Sequence, residues 1–316
     1  IGVSTARVRF LAGCDVIVQT ASHELGTGAY TIIGQSAAER LGVPLSKVQV
    51  YLGDSNLPPA IVAGGSSTTA SVCSAVLKAC NAIRDKLVRA TIDADSGPLS
   101  GRQPSNLTFM NGKIRSADGG EEKIRDVFDR LGLGAIEEYA EFVPAGLKPD
   151  AVAKLYAGQA QLTGGSKGEK LMYAMGAEFV EVHVHARTRE IRVPRVVGAF
   201  AAGRIMNTRT ARSQLMGGMI WGIGSALHEA TEIDPKRARY VNDNLADYLV
   251  PVNADVGTVQ VILVPEEDKY VNPAGAKGLG ELGNVGTAAA ITNAVYHATG
   301  TRLRQLPIRM EDLLTL

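Results

Sequence analysis

The sequence runs to 316 residues, 45% of them apolar and 21% charged, the balance of a globular protein long enough for one large domain or two ordinary ones. A net charge of +1 gives no field to draw nucleic acid or an anionic membrane, and no apolar run is long enough to span a bilayer. Three cysteines (Cys14, Cys73 and Cys80) are too few to hold an iron–sulfur cluster or a zinc ribbon.

The chain opens on Ile1 and is strand-like by Ala6, as expected of a piece cut or processed from a larger protein. Residues 6–21 alternate like a strand pair turning near Gly13. A Gly-rich break at 24–29 leads into helical spacing over 30–41, with Gly42 as its stop. A short strand over 48–52 precedes a second special loop, 63–69, which feeds a helix over about 70–92. On that helix Cys73 and Cys80 share a face and read as buried free thiols. A looser stretch follows over 95–170, with a hairpin about Asn111-Gly112 and a short amphipathic helix near 121–132. Residues 177–184 alternate, with 190–193 as a returning partner. His183 and His185 share one side of that strand as a solvent-facing pair, since two imidazoles make a poor metal site. A long helix over 208–228 carries Trp221 as a packing residue among glycines. A strand-rich stretch, 256–265, precedes a third Gly-rich loop, 275–283, and a last helix over 285–299.

The expected class is α+β, with mixed sheets and helices launched from Gly-rich loops. The expected division is a first cofactor-binding lobe over 1–95, an irregular linker with a hairpin and short helix over 96–172, and a second lobe over 173–316.

Gly278-Leu279-Gly280-Glu281-Leu282-Gly283 matches the dinucleotide pattern G-x-G-x-x-G, but no strand leads into it and only 33 residues follow Gly283. A nicotinamide dehydrogenase is therefore a remote alternative. Read as chemistry, the loop sets the Glu281 carboxylate among small residues before a helix, as a general base or as a helix cap. The hydroxyls and N–H groups of 64–69 suit a phosphate or an N-cap cluster, and no P-loop lysine is present for an ATPase. Gly26-Thr27-Gly28 is a tight turn or a close approach to ligand.

In order, Gly26-Thr27-Gly28, Gly64-Gly65-Ser66-Ser67, Gly203-Arg204-Ile205-Met206-Asn207, Gln214-Leu215-Met216-Gly217-Gly218, Asn244-Leu245-Ala246-Asp247-Tyr248 and Lys277-Gly278-Leu279-Gly280-Glu281 resemble the molybdopterin-binding subunit of the xanthine dehydrogenase/aldehyde oxidase family. The ending from Ala289 to Gly300 and Leu306-Pro307 resembles that family's C-terminal portion. Thr27, where the xanthine enzymes place Gln, and Leu282-Gly283 after the glutamate are similar to the bacterial aldehyde oxidoreductase branch.

The resemblance implies a molybdenum hydroxylase in which Glu281 deprotonates a molybdenum-bound hydroxyl and hydride passes to a sulfido ligand. The implied cofactor is molybdopterin cytosine dinucleotide carrying an oxo-sulfido molybdenum, with no metal ligand from the protein. Gly65, Ser66, Ser67 and Thr68 would hold its pyrophosphate, with Gly26, Thr27 and Gly28 nearby. Gln214 would bond near the pterin or a molybdenum ligand, and Lys277, Gly278 and Gly280 belong to the same binding set. The substrate expected is an aldehyde, with an N-heteroaromatic as alternative, and water supplies the oxygen.

Implied partners are the subunit's N-terminal half or a companion chain, an iron–sulfur subunit with 2Fe-2S clusters and an FAD subunit. Neither nucleic acid nor membrane is expected as a partner. The compartment implied is cytoplasmic, or periplasmic through a partner's signal. The competing reading is a folded, non-catalytic half whose role is assembly.

Overall fold

The computed structural model describes residues 1–148, 150–159 and 171–314. They form two units. The first comprises Ile1–Tyr173 with Arg204–Asn207 and Glu267–Lys277, and the second Ala174–Gly203, Thr208–Glu266 and Gly278–Leu316.

In the first unit β1 (Ser4–Leu11) and β2 (Val16–Gln19) are the expected antiparallel pair. They are followed by α1 (Ala29–Leu41), β3 (Val48–Tyr51), α2 (Thr68–Ile92), β4 (Leu107–Met110), β5 (Lys113–Ser116), β6 (Glu121–Lys123), α3 (Ile124–Leu131), β7 (Ala135–Phe142) and α4 (Ala151–Tyr156). A four-stranded sheet in the order β3-β2-β1-β7 carries the unit, with β2 and β3 parallel. β4, β5 and β6 form a separate antiparallel sheet, whose Asn111-Gly112 turn has φ values of 52° and 70°.

Val8, Phe10, Val16 and Val18 of the sheet pack with Ile33, Leu41, Val76, Ile83 and Leu87 of the helices in one core. Phe10 and Phe128 meet edge to face at 5.8 Å. Cys73 and Cys80 are buried free thiols in this core, and burial pushes them up to about 11 and about 12. Helix α1 ends at Gly42, whose φ of 67° closes the helix. A side chain there would also strike the Phe109 backbone at 2.3 Å.

The stretch over 96–172 lies partly outside the described residues. It contains the expected hairpin and short helix, and also β7, which pairs with β1 from Ser4↔Phe142 to Leu11↔Ala135.

In the second unit β8 (Met175–Val184) and β9 (Ile191–Ala201) form an antiparallel pair, irregular between Glu181 and His183. Helix α5 (Thr208–Leu227), the small strands β10 (Ile233–Asp234) and β11 (Arg239–Tyr240), β12 (Val256–Leu263) and α6 (Thr287–Thr299) complete it. β12 adds in parallel to β9, giving the order β12-β9-β8. Val196, Phe200, Leu215, Met219, Ile223 and Ile291 anchor its core.

One expectation fails here. Trp221 is 57% exposed. It lies two residues from buried Met219, about 200° around a helix, so it faces away from the packed side. His183 and His185 are both exposed, as expected of a solvent-facing pair, although His185 lies one residue past the end of β8 and its Nδ1 accepts the Thr188 N–H at 3.0 Å in the turn. Glycines do mark close approach on α5: a Cβ on Gly222 would lie 2.4 Å from Thr287 Cβ, and one on Gly218 2.9 Å from the Gly283 carbonyl carbon. No helix among the described residues is long and apolar enough to cross a membrane.

Candidate active site

In the first unit the helices α1 and α2 run in the same direction. Ser36 meets Cys73, Arg40 meets Asn81, and Arg84 donates to the Arg40 carbonyl at 2.8 Å, so the contacts advance together along both chains. Both Gly-rich loops therefore lie at one end of the helix pair, where N–H groups of the first turns point out of the helices. The macrodipoles place partial positive charge at that end.

The second loop enters α2 through Gly65 and Ser66, with φ values of 60° and 54°. A serine in this left-handed region costs on the order of 1–3 kcal/mol, the kind of strain that functional loops hold. A Cβ on Gly64 or Gly65 would meet nothing within 4 Å, so the loop faces open space. No acidic residue lies in the first turn of α2. Ser67 is buried, and its hydroxyl donates to the Gly64 carbonyl at 2.8 Å, holding the loop's shape. The first-turn N–H groups of α2 have no intrahelical partner, and Ser66 and Thr68 carry hydroxyls beside them. A phosphate fits this donor set.

The first loop is built differently. Gly26 and Gly28 have φ values of 95° and 90° about an exposed Thr27. The Glu24 carboxylate folds over the loop and accepts the N–H groups of Gly26 at 2.7 Å, Gly28 at 3.0 Å and Tyr30 at 3.3 Å. Partial burial pushes that carboxyl up, but the amides of Gly28, Gly26, Tyr30 and Ala29 outweigh it and hold it below the usual glutamate range. Sequence reasoning missed Glu24. Its spacing, an acid two and four residues before glycines at a helix start, was the available signal.

Lys277 lies in the first unit, its side chain 11% exposed and its ammonium 3.2 Å from the Asp268 carboxylate. Asp268 also accepts the N–H groups of Tyr270 and Val271 at 3.0 and 3.1 Å. These bonds, Tyr270's first, keep its carboxyl low. Buried Asn272 bonds Ala276 O at 2.7 Å, and Ser74 of α2 receives the Ala274 N–H at 3.3 Å, so the segment before Gly278 is tied to α2.

Gln214, Gly278, Gly280 and Glu281 belong to the second unit. Glu281 is exposed and immediately precedes a 3-10 turn, Leu282–Asn284, that leads to α6. The Gln214 amide donates to the Gly280 carbonyl at 2.6 Å, one peptide before Glu281. Gly283 rests on α5 so closely that a side chain would meet Leu215 O at 2.4 Å. Past the turn, Glu178 of β8 accepts the Gly286 N–H at 3.2 Å and the Thr287 hydroxyl. Burial raises the Glu178 carboxyl despite those bonds. The Glu281 loop is thus pinned on both sides by packed elements, which is what a positioned base needs. No strand leads into Gly278, so the nucleotide-type reading of this loop lacks its structural context. Among the described residues no group of three or more His, Cys, Asp or Glu could hold a metal ion.

Sheets of mixed direction, with helices entered from glycine loops, define a fold shared with molybdenum hydroxylases. The quinoline 2-oxidoreductase of Pseudomonas putida 86 superposes with a TM-score of 0.80 at 22% identity, over 99% of this chain and 38% of that one. Residues 2–257 match the family described as the molybdopterin cofactor-binding domain, and the chain belongs to that family.

The aldehyde oxidoreductase molybdenum-binding subunit PaoC of Escherichia coli is 39% identical over 98% of this chain and 38% of its own length. A xanthine dehydrogenase molybdenum-binding subunit of the same species is 30% identical over 99% of this chain and 39% of its own. The chain therefore spans less than two-fifths of the length of these relatives. The sequence-level resemblance to the molybdopterin-binding family is borne out.

Proposed function

We propose that this chain is the cofactor-binding and base-carrying portion of a molybdenum hydroxylase that oxidises an aldehyde with water as the oxygen source. The pinned loop that holds Glu281 is the observation that carries this reading. The 39% identity to a subunit named for aldehyde oxidation favours an aldehyde over an N-heteroaromatic substrate.

The cofactor proposed is molybdopterin cytosine dinucleotide, which when bound supplies the two-electron oxidation. Gly65, Ser66 and Thr68 hold its pyrophosphate through hydroxyl and N–H groups, and Ser67 keeps their loop in shape. Thr27 and Gln214 are the other residues proposed to bind the cofactor. Lys277, paired with Asp268, and the glycines at 278 and 280 belong to the same proposed binding set.

In the overall change RCHO + H2O → RCOOH + 2H⁺ + 2e⁻, the Glu281 carboxylate takes a proton from the oxygen that becomes part of the product. The electrons leave through an iron–sulfur subunit with 2Fe-2S clusters and an FAD subunit. The enzyme works in the cytoplasm, or in the periplasm by way of a partner's signal.

A second reading is favoured by the relatives' greater length: the chain is an assembly half with no turnover until joined to the remainder. Molybdenum and released CMP measured on the assembled complex test the cofactor class, and stoichiometric amounts of both are expected. Glu281→Gln in that complex should keep fold and metal but lose at least about 10²-fold in turnover, the lower end for general-base catalysis. Retained turnover overturns the assignment of the base.

A further inference from the structure

We propose that Glu24 is a positioning residue that fills the positive end of α1 with its own carboxylate, closing the Thr27 loop to phosphate so that it offers Thr27 instead of bare backbone. The inference rests on the cofactor reading above and deepens it.

Two helices that start at the same end of one unit each offer an anion position. They are not equivalent. At α1, one carboxylate oxygen takes the Gly26 and Gly28 N–H groups and the other takes Tyr30, with donor–acceptor distances of 2.7, 3.0 and 3.3 Å. These are charge-assisted bonds to groups that a phosphate would otherwise use. At α2 no acidic side chain lies in the first turn, and the Ser67 hydroxyl points back to Gly64. A dianionic group approaching this end would be repelled by the Glu24 charge at α1 and accepted at α2.

The loop geometry supports the same division. Gly26 and Gly28 are both left-handed, with φ values of 95° and 90°, which turns their N–H groups inward onto Glu24. The residue between them, Thr27, is exposed, so the loop presents its side chain. The backbone contacts expected at Gly26 and Gly28 are therefore replaced by a side-chain contact at Thr27. Glu24 fixes that side chain's place without touching the ligand itself.

Inorganic pyrophosphate titrated into the full chain tests this, with the amide resonances of Gly26, Gly28 and Tyr30 followed beside those of Thr68, Thr69 and Ala70. In the unaltered chain the first group should stay in place. In Glu24→Ala it should shift saturably, while Glu24→Gln, neutral but still able to accept a hydrogen bond, should show a smaller shift. A merely structural role for Glu24 would not create a new anion response.

Resonances of Gly26 and Gly28 that already move in the unaltered chain overturn the proposal. So do resonances that stay put in a folded Glu24→Ala chain. If Glu24→Ala does not fold, Glu24→Gln decides by the same criterion. Silence at Thr68–Ala70, combined with a response at Gly26 and Gly28 only after Glu24 is replaced, would sink the pyrophosphate reading of the α2 end and leave the Glu24 inference standing.

Discussion

A carboxylate at the start of a helix is stabilised to the extent that N–H groups turn toward it, and three such groups meet Glu24. Its folded value lies below that of an unfolded glutamate, so the unfolded chain binds this proton more readily. The stability it contributes is present above about pH 4.3 and is lost as pH falls through the lower folded value. Urea unfolding of the chain and of Glu24→Gln should show a gap in midpoint at pH 7 that narrows toward pH 3. A gap of the same size at both ends would count against the carboxylate's charge as its source. Across the helix pair, Ser66→Ala combined with Thr68→Ala removes two hydroxyls from the proposed phosphate loop but leaves the Ser67–Gly64 bond that shapes it, so the chain should keep its fold. Molybdenum content of the assembled complex should fall instead. Full occupancy in the double variant would remove the α2 end from the cofactor site.

Between elements, the α5 glycines make predictions of opposite sign. Gly222→Ala would drive a methyl group against Thr287, the first residue of α6, and Gly217→Ala would meet nothing. Gly222→Ala should therefore destabilise by about 1–3 kcal/mol through overpacking. Gly217→Ala should stabilise by up to about 1 kcal/mol through helix propensity. Denaturant midpoints that move the same way in both variants would refute the close contact. Because α6 follows directly from the Glu281 turn, Gly222→Ala should also lower turnover in the complex.

These glycines, like the strand pairs and the helix starts, were legible in the sequence, because local periodicity and cap chemistry determine them. The strand β7 was not. Its Ala-Ile-Glu-Glu-Tyr-Ala-Glu-Phe run breaks strict alternation with two adjacent acids, and it becomes a strand by pairing with β1, more than a hundred residues away. Charge pairing assists it, with Arg7 of β1 3.6 Å from Glu137 and Lys86 of α2 on Glu138. The same distinction holds at the site. Glu281 and the Ser66 loop were visible as motifs, whereas the closure of Glu24 over Gly26 and Gly28 depends on how a side chain returns to its own backbone. The exposure of Trp221 follows from which face of α5 the close-packed glycines occupy, and composition alone does not show that.

On the scale of the whole chain, large apolar side chains stand exposed in both units, Tyr270 and Leu171 in the first among them. Leu245 is 83% exposed and Val285 76%, and Met175, Phe179 and Trp221 are also largely uncovered. Where such side chains adjoin one another, they mark an interaction site. The sheet adds to it, because β12 is an edge strand. Beside it runs a groove of about 550 Å³ lined by Arg212, Met216, Val259 and Ile262. The Arg212 guanidinium donates to Val261 O at 2.7 Å and so covers one edge carbonyl. Unpaired edge groups of this kind recruit another strand. More than half the length of the curated relatives lies outside the part this chain matches. The chain on its own should therefore bind a hydrophobic dye and show concentration-dependent light scattering. Both should fall when it is produced together with the remaining part of a full-length relative. A dye-silent, monodisperse chain that ignores that companion would mean the exposed face is tolerated without a partner, and would weaken the assembly reading along with it.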